Sequence, residues 1–113
     1  MAVTPTNFAS NTQLTNAAPV IVVEAPITGQ YHIVYKLSFR NTGSSRRVVT
    51  VYVVDNGGSS TTGRELAKQA IPADTEWNCY LAQNEVLSVG MQITALQDAG
   101  TDVNVNCSGS TVS

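Results

Sequence analysis

Tyr31-His32-Ile33-Val34-Tyr35-Lys36-Leu37-Ser38-Phe39-Arg40 is the stretch on which the fold turns. Tyr31, Ile33, Tyr35, Leu37 and Phe39 stand at every second position, with His32, Val34, Lys36, Ser38 and Arg40 between them. Successive side chains of a strand point to opposite faces, so this period of two predicts a long β-strand. Its first set should turn inward and its second toward solvent or a partner. On that reading His32 is an outward residue.

Working outward from this strand, Asn41-Thr42-Gly43-Ser44-Ser45 is a run of turn formers. Arg46 to Asp55 follows with Val48, Val49, Val51, Val53 and Val54, a strand apolar on both sides, and the two strands are expected to form a hairpin. Upstream, Val20-Ile21-Val22-Val23 reads as a short buried strand closed by Glu24-Ala25-Pro26 and the turn residues Thr28-Gly29. Residues 1–13 are mostly Thr, Asn, Ser and Ala around one large apolar anchor, Phe8, and read as an extended N-terminal arm ahead of a domain spanning 14–113. Asn56 to Gly63 is a Gly/Ser/Thr loop. Thr62-x-x-Glu65 has the form of a helix capping box, but the segment 64–71 ends at Ile71-Pro72 after about two turns, so a strand or irregular edge is expected there. Glu76 to Leu81, Val89 to Leu96 and Val103 to Ser108 read as further strands, with Glu85-Val86-Leu87 as a connection. Roughly six to eight strands without intervening helices predict an all-β chain, a single antiparallel β-sandwich, jelly-roll-like or immunoglobulin-like.

Composition agrees. Among 113 residues, 15 valines stand against six leucines, favouring pleated half-buried surfaces. Ser, Thr, Asn and Gln number 38 against 14 charged residues, so neutral polar groups replace the usual surface charge. A net charge of −2 gives no basis for phosphate affinity, and no nucleic-acid partner is expected. The longest apolar run, Ala17 to Val23, is seven residues, whereas a spanning helix needs about 20, so no membrane segment is expected. The N-terminal residues lack the basic and apolar regions of a secretory signal, so export is not expected. Cys79 and Cys107 are therefore expected as free thiols rather than a disulfide.

Catalytic chemistry is hard to assemble from these residues. His32 is the single histidine, and neither a nucleophile-elbow spacing nor a paired zinc spacing joins it to Cys79 or Cys107. Asp98-Ala99-Gly100-Thr101-Asp102 reads as a plain turn rather than a calcium site, and Gly57-Gly58 has no phosphate-loop lysine. Glu76 and Glu85 read as surface acids rather than a glycosidase pair. No enzyme activity, metal or cofactor is expected. Trp77, Tyr31, Tyr35, Tyr52 and Tyr80 are available to a sugar, but alternation makes most of them core residues; Trp77 exposed beside another aromatic would favour a carbohydrate-binding module.

Charge is polarised along the chain. Lys36, Arg40, Arg46 and Arg47 fall within residues 25–54, which hold no acid, whereas Asp74, Glu76, Glu85, Asp98 and Asp102 all follow Lys68. Copies would meet basic side to acidic side if the two halves occupied different surfaces, and a strand order that interleaves them would remove the polarity. Phe8, Arg40, Arg46 and Arg47 are the candidate interface residues.

Ala25-Pro26, Tyr31 to Phe39 closing on Asn41-Thr42, Val49 to Val54, the Gly57-Gly58 loop and Ala70-Ile71-Pro72-Ala73 follow one another along the chain. With Glu85-Val86-Leu87 and Gly90, Ile93-Thr94-Ala95-Leu96 and Val103-Asn104-Val105, this order of segments resembles small structural proteins of tailed bacteriophages over roughly residues 12–109. Arg64, Glu65 and Lys68 are more charged than that type at the same place. The resemblance implies a β-sandwich that decorates a capsid or attaches to a tail, neck or baseplate, with no functional residue carried over. The resulting expectation is a non-enzymatic outer capsid decoration (cement) protein of the virion, assembled in the host cytoplasm. It would bridge subunits of the major capsid protein as a homo-oligomer, such as a trimer.

Overall fold

The computed structural model describes residues 2–54 and 64–113. The loop read over Asn56 to Gly63, with Gly57-Gly58 and Thr62, lies outside the described residues. Among these the strands are β1 (Val3–Gln13), β2 (Val20–Val23), β3 (Tyr31–Asn41), β4 (Arg47–Val54), β5 (Arg64–Ile71), β6 (Thr75–Asn78), β7 (Val86–Leu87), β8 (Gln92–Gln97) and β9 (Val103–Val112). One sheet has the order β1-β9-β3-β6, with β7 also on β3, and the other has β2-β8-β4-β5. All pairings are antiparallel.

The pairs are nested. β1 lies on β9, β2 on β8, β3 on β6 and β4 on β5, as in one long hairpin rolled up so that its halves face each other. That is the topology of a jelly roll, and it decides between the two sandwiches expected. Inside, Val34, Leu37 and Phe39 of β3 join Val49, Val51 and Val53 of β4, Ile93 and Ala95 of β8 and Val103 and Val105 of β9 in one buried cluster. Each fully buried Val, Leu or Phe here contributes about 1.5–3 kcal/mol. The Phe39 ring stacks on Trp77 of the neighbouring β6 at 5.4 Å.

The expected hairpin of β3 and β4 does not form. These strands belong to different sheets, and residues 42–46 carry the chain from one sheet to the other. Asn41, fully buried, fixes that crossing: its Nδ2 donates to the carbonyls of Ser45 (2.7 Å) and Ile71 (3.1 Å), and its Oδ1 accepts from the Gly43 N–H (2.9 Å). One amide thus ties the β3–β4 crossing to the β5–β6 crossing. Segment 64–71 is the edge strand β5, and Tyr80–Ala82 is a 3-10 turn instead of the end of a strand.

The alternation of β3 also breaks. Val34 pairs with Gly109 and Lys36 with Ser108, leaving Tyr35 as the extra residue of a β-bulge. Since one extra residue reverses which face each later side chain takes, Tyr35 and Lys36 are both exposed. His32 and Val34 share the buried side with Leu37 and Phe39. His32 is therefore turned inward, and Tyr35 outward, opposite to the expectation for each.

On the other flank of β9 the edge strand β1 bulges as well, between Asn7, paired with Ser108, and Ala9, paired with Cys107. Gly109 stands at this double irregularity. A Cβ there would lie 1.9 Å from the Ile33 carbonyl oxygen and 2.8 Å from the Phe8 ring, so only glycine lets the strands approach. Gly109→Ala is expected to destabilise the fold by about 1–3 kcal/mol and lower Tm by roughly 5 to 15 °C. Thermal unfolding followed by circular dichroism checks this, and a melt matching the parent's would show that the packing is loose.

Candidate functional site

The Tyr35 bulge opens a cleft because the neighbouring chain departs from β3 at the same level. The Cys79 N–H donates to the Leu37 carbonyl (2.8 Å), after which the chain leaves through the 3-10 turn and returns where the Asn84 N–H donates to the Val34 carbonyl (2.7 Å). Buried Ala82 roots the turn, and Asn84 closes it in the left-handed region at φ 64°. Between departure and return lies a cleft of about 240 Å³ lined by Tyr35, Lys36, Leu37, Asn78, Cys79, Tyr80 and Gln83. Tyr35 is 47% exposed and Tyr80 75%. Leu81 and Val86, nearby in sequence, are also largely exposed. Trp77 is half-buried against Phe39, so the exposed aromatics are two tyrosines. Asn78 Oδ1 is shielded from water and accepts no hydrogen bond.

A second groove, of about 290 Å³, runs between the strands β1 and β2 at the edges of the two sheets. Thr6, Asn7, Phe8, Ile21, Val22, Glu24 and His32 line it. The segment read as an N-terminal arm is here the edge strand β1 on β9 of its own chain, with Phe8 partly buried against the core. The Phe8 ring lies 4.9 Å from the His32 imidazole, and His32 Nδ1 shares a hydrogen bond with the Thr111 hydroxyl (3.1 Å).

Of the other candidate residues, Arg40 is paired with Asp74 (2.8 Å) on the surface, and Arg47 with half-buried Asp102 (2.9 Å). Arg46 is exposed. Arg64 and Glu85 form a third pair at 2.9 Å. The strand order thus interleaves the basic and acidic halves of the sequence. Among the described residues no three His, Cys, Asp or Glu side chains converge, and no helix is long and apolar enough to cross a membrane.

The Asp98 to Asp102 turn carries the chain from β8 in one sheet to β9 in the other and is held through its own carboxylates. Asp98 Oδ1 accepts from the Val48 N–H (3.0 Å), and Asp102 Oδ1 accepts from Arg47 Nε and from Nε2 of buried Gln97 (3.0 Å). The hydrogen bond from Arg47 holds the Asp102 carboxyl below the usual carboxylate range.

Cys79 and Cys107 are both buried free thiols. They flank Leu37 from opposite sides, Cys107 opposite it on β9 and Cys79 bonded to its carbonyl. Two strand spacings, about 9.6 Å, exceed the roughly 7 Å that a disulfide spans between Cα atoms. Burial pushes the Cys107 thiol up to about 12, and that of Cys79 upward as well. Neither thiol should react with Ellman's reagent at about pH 8 in the folded protein, and both should react in denaturant. Rapid reaction of the native chain would contradict this burial.

Burial lowers the pKa of His32 from its ordinary 6.5, so the folded state favours the neutral ring. The unfolded chain takes up its proton first as the pH falls. Stability should therefore decline below about pH 6.5 and level off once the folded imidazole is also protonated. Urea unfolding at about pH 7.5 and 5.5 should show a loss that His32→Gln abolishes; equal losses in both proteins would assign it elsewhere.

No protein-family model matches this sequence, and no curated protein matches it. Solved structures do. A chain of the infectious bursal disease virus Gx strain structure aligns with a TM-score of 0.52 at 14% identity, over 97% of this chain and 31% of its own. A chain of the T13 particle of the same virus aligns with a TM-score of 0.49 at 12% identity, over 97% of this chain and 30% of its own. The likeness is one of fold. This chain spans about a third of the length of those it matches.

Proposed function

We propose that this chain is a non-enzymatic structural protein of a virion, and within that class an outer capsid decoration protein of a tailed bacteriophage. The observation that carries the reading is the fold, a jelly roll aligned over 97% of its length with a chain from a virus structure. Jelly rolls serve other ends as well. The low surface charge, the many neutral polar side chains and the segment order that resembles tailed-phage virion proteins add to it.

In this reading the protein binds across neighbouring subunits of the major capsid protein, so that each copy adds area which must be exposed before the shell comes apart. Cyclic association, such as a trimer at a local three-fold axis, suits that geometry. Assembly takes place in the host cytoplasm. The contact includes the edge of β1, unpaired among the described residues, which can accept a neighbour's strand, with Phe8 beneath it and exposed Arg46 beside the crossing. Arg40 and Arg47, already paired within the chain, contribute less.

Light scattering of the purified protein, followed by co-sedimentation with purified capsids and separately with tails, tests the proposal. A defined oligomer that sediments with capsids is the expected result. Sedimentation with tails alone would move the protein to the tail, neck or baseplate, and a monomer that joins neither would overturn the virion role.

A further inference from the structure

We infer that the cleft between Tyr35 and Tyr80 binds a saccharide unit. The first argument is conformational. An alternating strand would have kept Tyr35 with Leu37 and Phe39, whereas the bulge beside Gly109 re-aims it into solvent. Bulges that redirect a side chain cluster at functional sites, and a departure from a local rule is where function is to be sought. Tyr80 faces the same cleft from the 3-10 turn and is the most exposed large apolar side chain among the described residues. Two of the chain's four tyrosines thus flank one opening. A tyrosine offers a rigid apolar face for the C–H side of a pyranose and keeps its hydroxyl at the rim.

The second argument is the chemistry between the rings. Asn78 and Gln83 supply amide donors and acceptors, and Lys36 supplies an ammonium donor. That set matches ligand hydroxyls. No carboxylate lines the cleft among the described residues, so it does not suit a metal ion. The third argument is Asn78 Oδ1, which is shielded and without a partner. Such an acceptor marks a place where a donor belongs, and Asn78 lines the cleft, so turning its amide would offer that acceptor to a sugar hydroxyl. The cleft volume, about 240 Å³, suits a single ring with its neighbours in the chain left outside.

This inference does not rest on the virion reading, because the β1 edge assigned to assembly is at the opposite edge of the sheet from β6, whose end leads into the cleft. The full chain applied to an array of immobilised hexose, hexosamine and uronic acid oligosaccharides tests it, followed by calorimetric titration with the best oligosaccharide. Tyr35→Ala, Tyr80→Ala and Asn78→Ala should each weaken binding by about tenfold. Ile27→Ala, which removes an exposed apolar side chain outside the cleft, should not. Unchanged circular dichroism and Tm show that the variants fold. Three results overturn the inference: no array spot bound, binding that survives both tyrosine substitutions, or a photo-crosslinker at position 80 that captures a second copy of the chain in place of sugar.

Discussion

The approach of three strands at Gly109 sets the rest of the structure. A side chain there would collide with the Ile33 carbonyl, so the absence of one lets β3 and β1 crowd β9 from both sides. Each of them inserts an extra residue at nearly the same level. The two bulges have opposite results. On β1 the irregularity turns Phe8 and Ala9 toward the core; on β3 it turns Tyr35 and Lys36 toward solvent. One contact therefore produces both the Phe8–His32 groove at one edge and the tyrosine cleft on the far side of β3.

Polar groups hold the two sheets in register where apolar packing alone would not. Cores of similar volume tolerate many arrangements, whereas a buried amide tolerates few because each donor and acceptor must be met. Asn41 meets this demand across two crossings. Gln97 meets it at the last one, donating to the Ala99 carbonyl (2.6 Å) and accepting from the Val103 N–H (3.1 Å). The ion pair of Arg47 with Asp102 joins a residue at the start of β4 to the turn before β9. These contacts select the jelly roll over a sandwich of the same strands in another order.

Strands were the legible part. Val20 to Val23 and the valines after Arg46 lie where their patterns place them, because β-branched residues in short runs between turn formers have few other stable states. The 64–71 edge was legible through the proline that follows it. Connectivity was not, since Asn41-Thr42-Gly43-Ser44-Ser45 has the composition of a hairpin turn and of a crossing alike; what separates them is where the Asn41 amide finds its partners, some thirty residues away. The bulge was hidden for a similar reason. Its signal is Gly109, more than seventy residues from Tyr35, and nothing near Tyr35 marks the change of phase. His32 and the tyrosine cleft were misjudged with it. A search for glycines within otherwise regular strands would have raised the question.

The nested pairing also orders events in time. β9 is the shared neighbour of β1 and β3, so the first described strand has no partner until the last described one exists. During synthesis the inner pairs, β4 with β5 and then β3 with β6, can close early, whereas β9 takes its place between β1 and β3 last among the described strands. A strand left waiting is a hazard if it is apolar. β1 is mostly Thr, Asn, Ser and Pro5, so the strand that waits longest for its partner exposes little apolar surface while it does so.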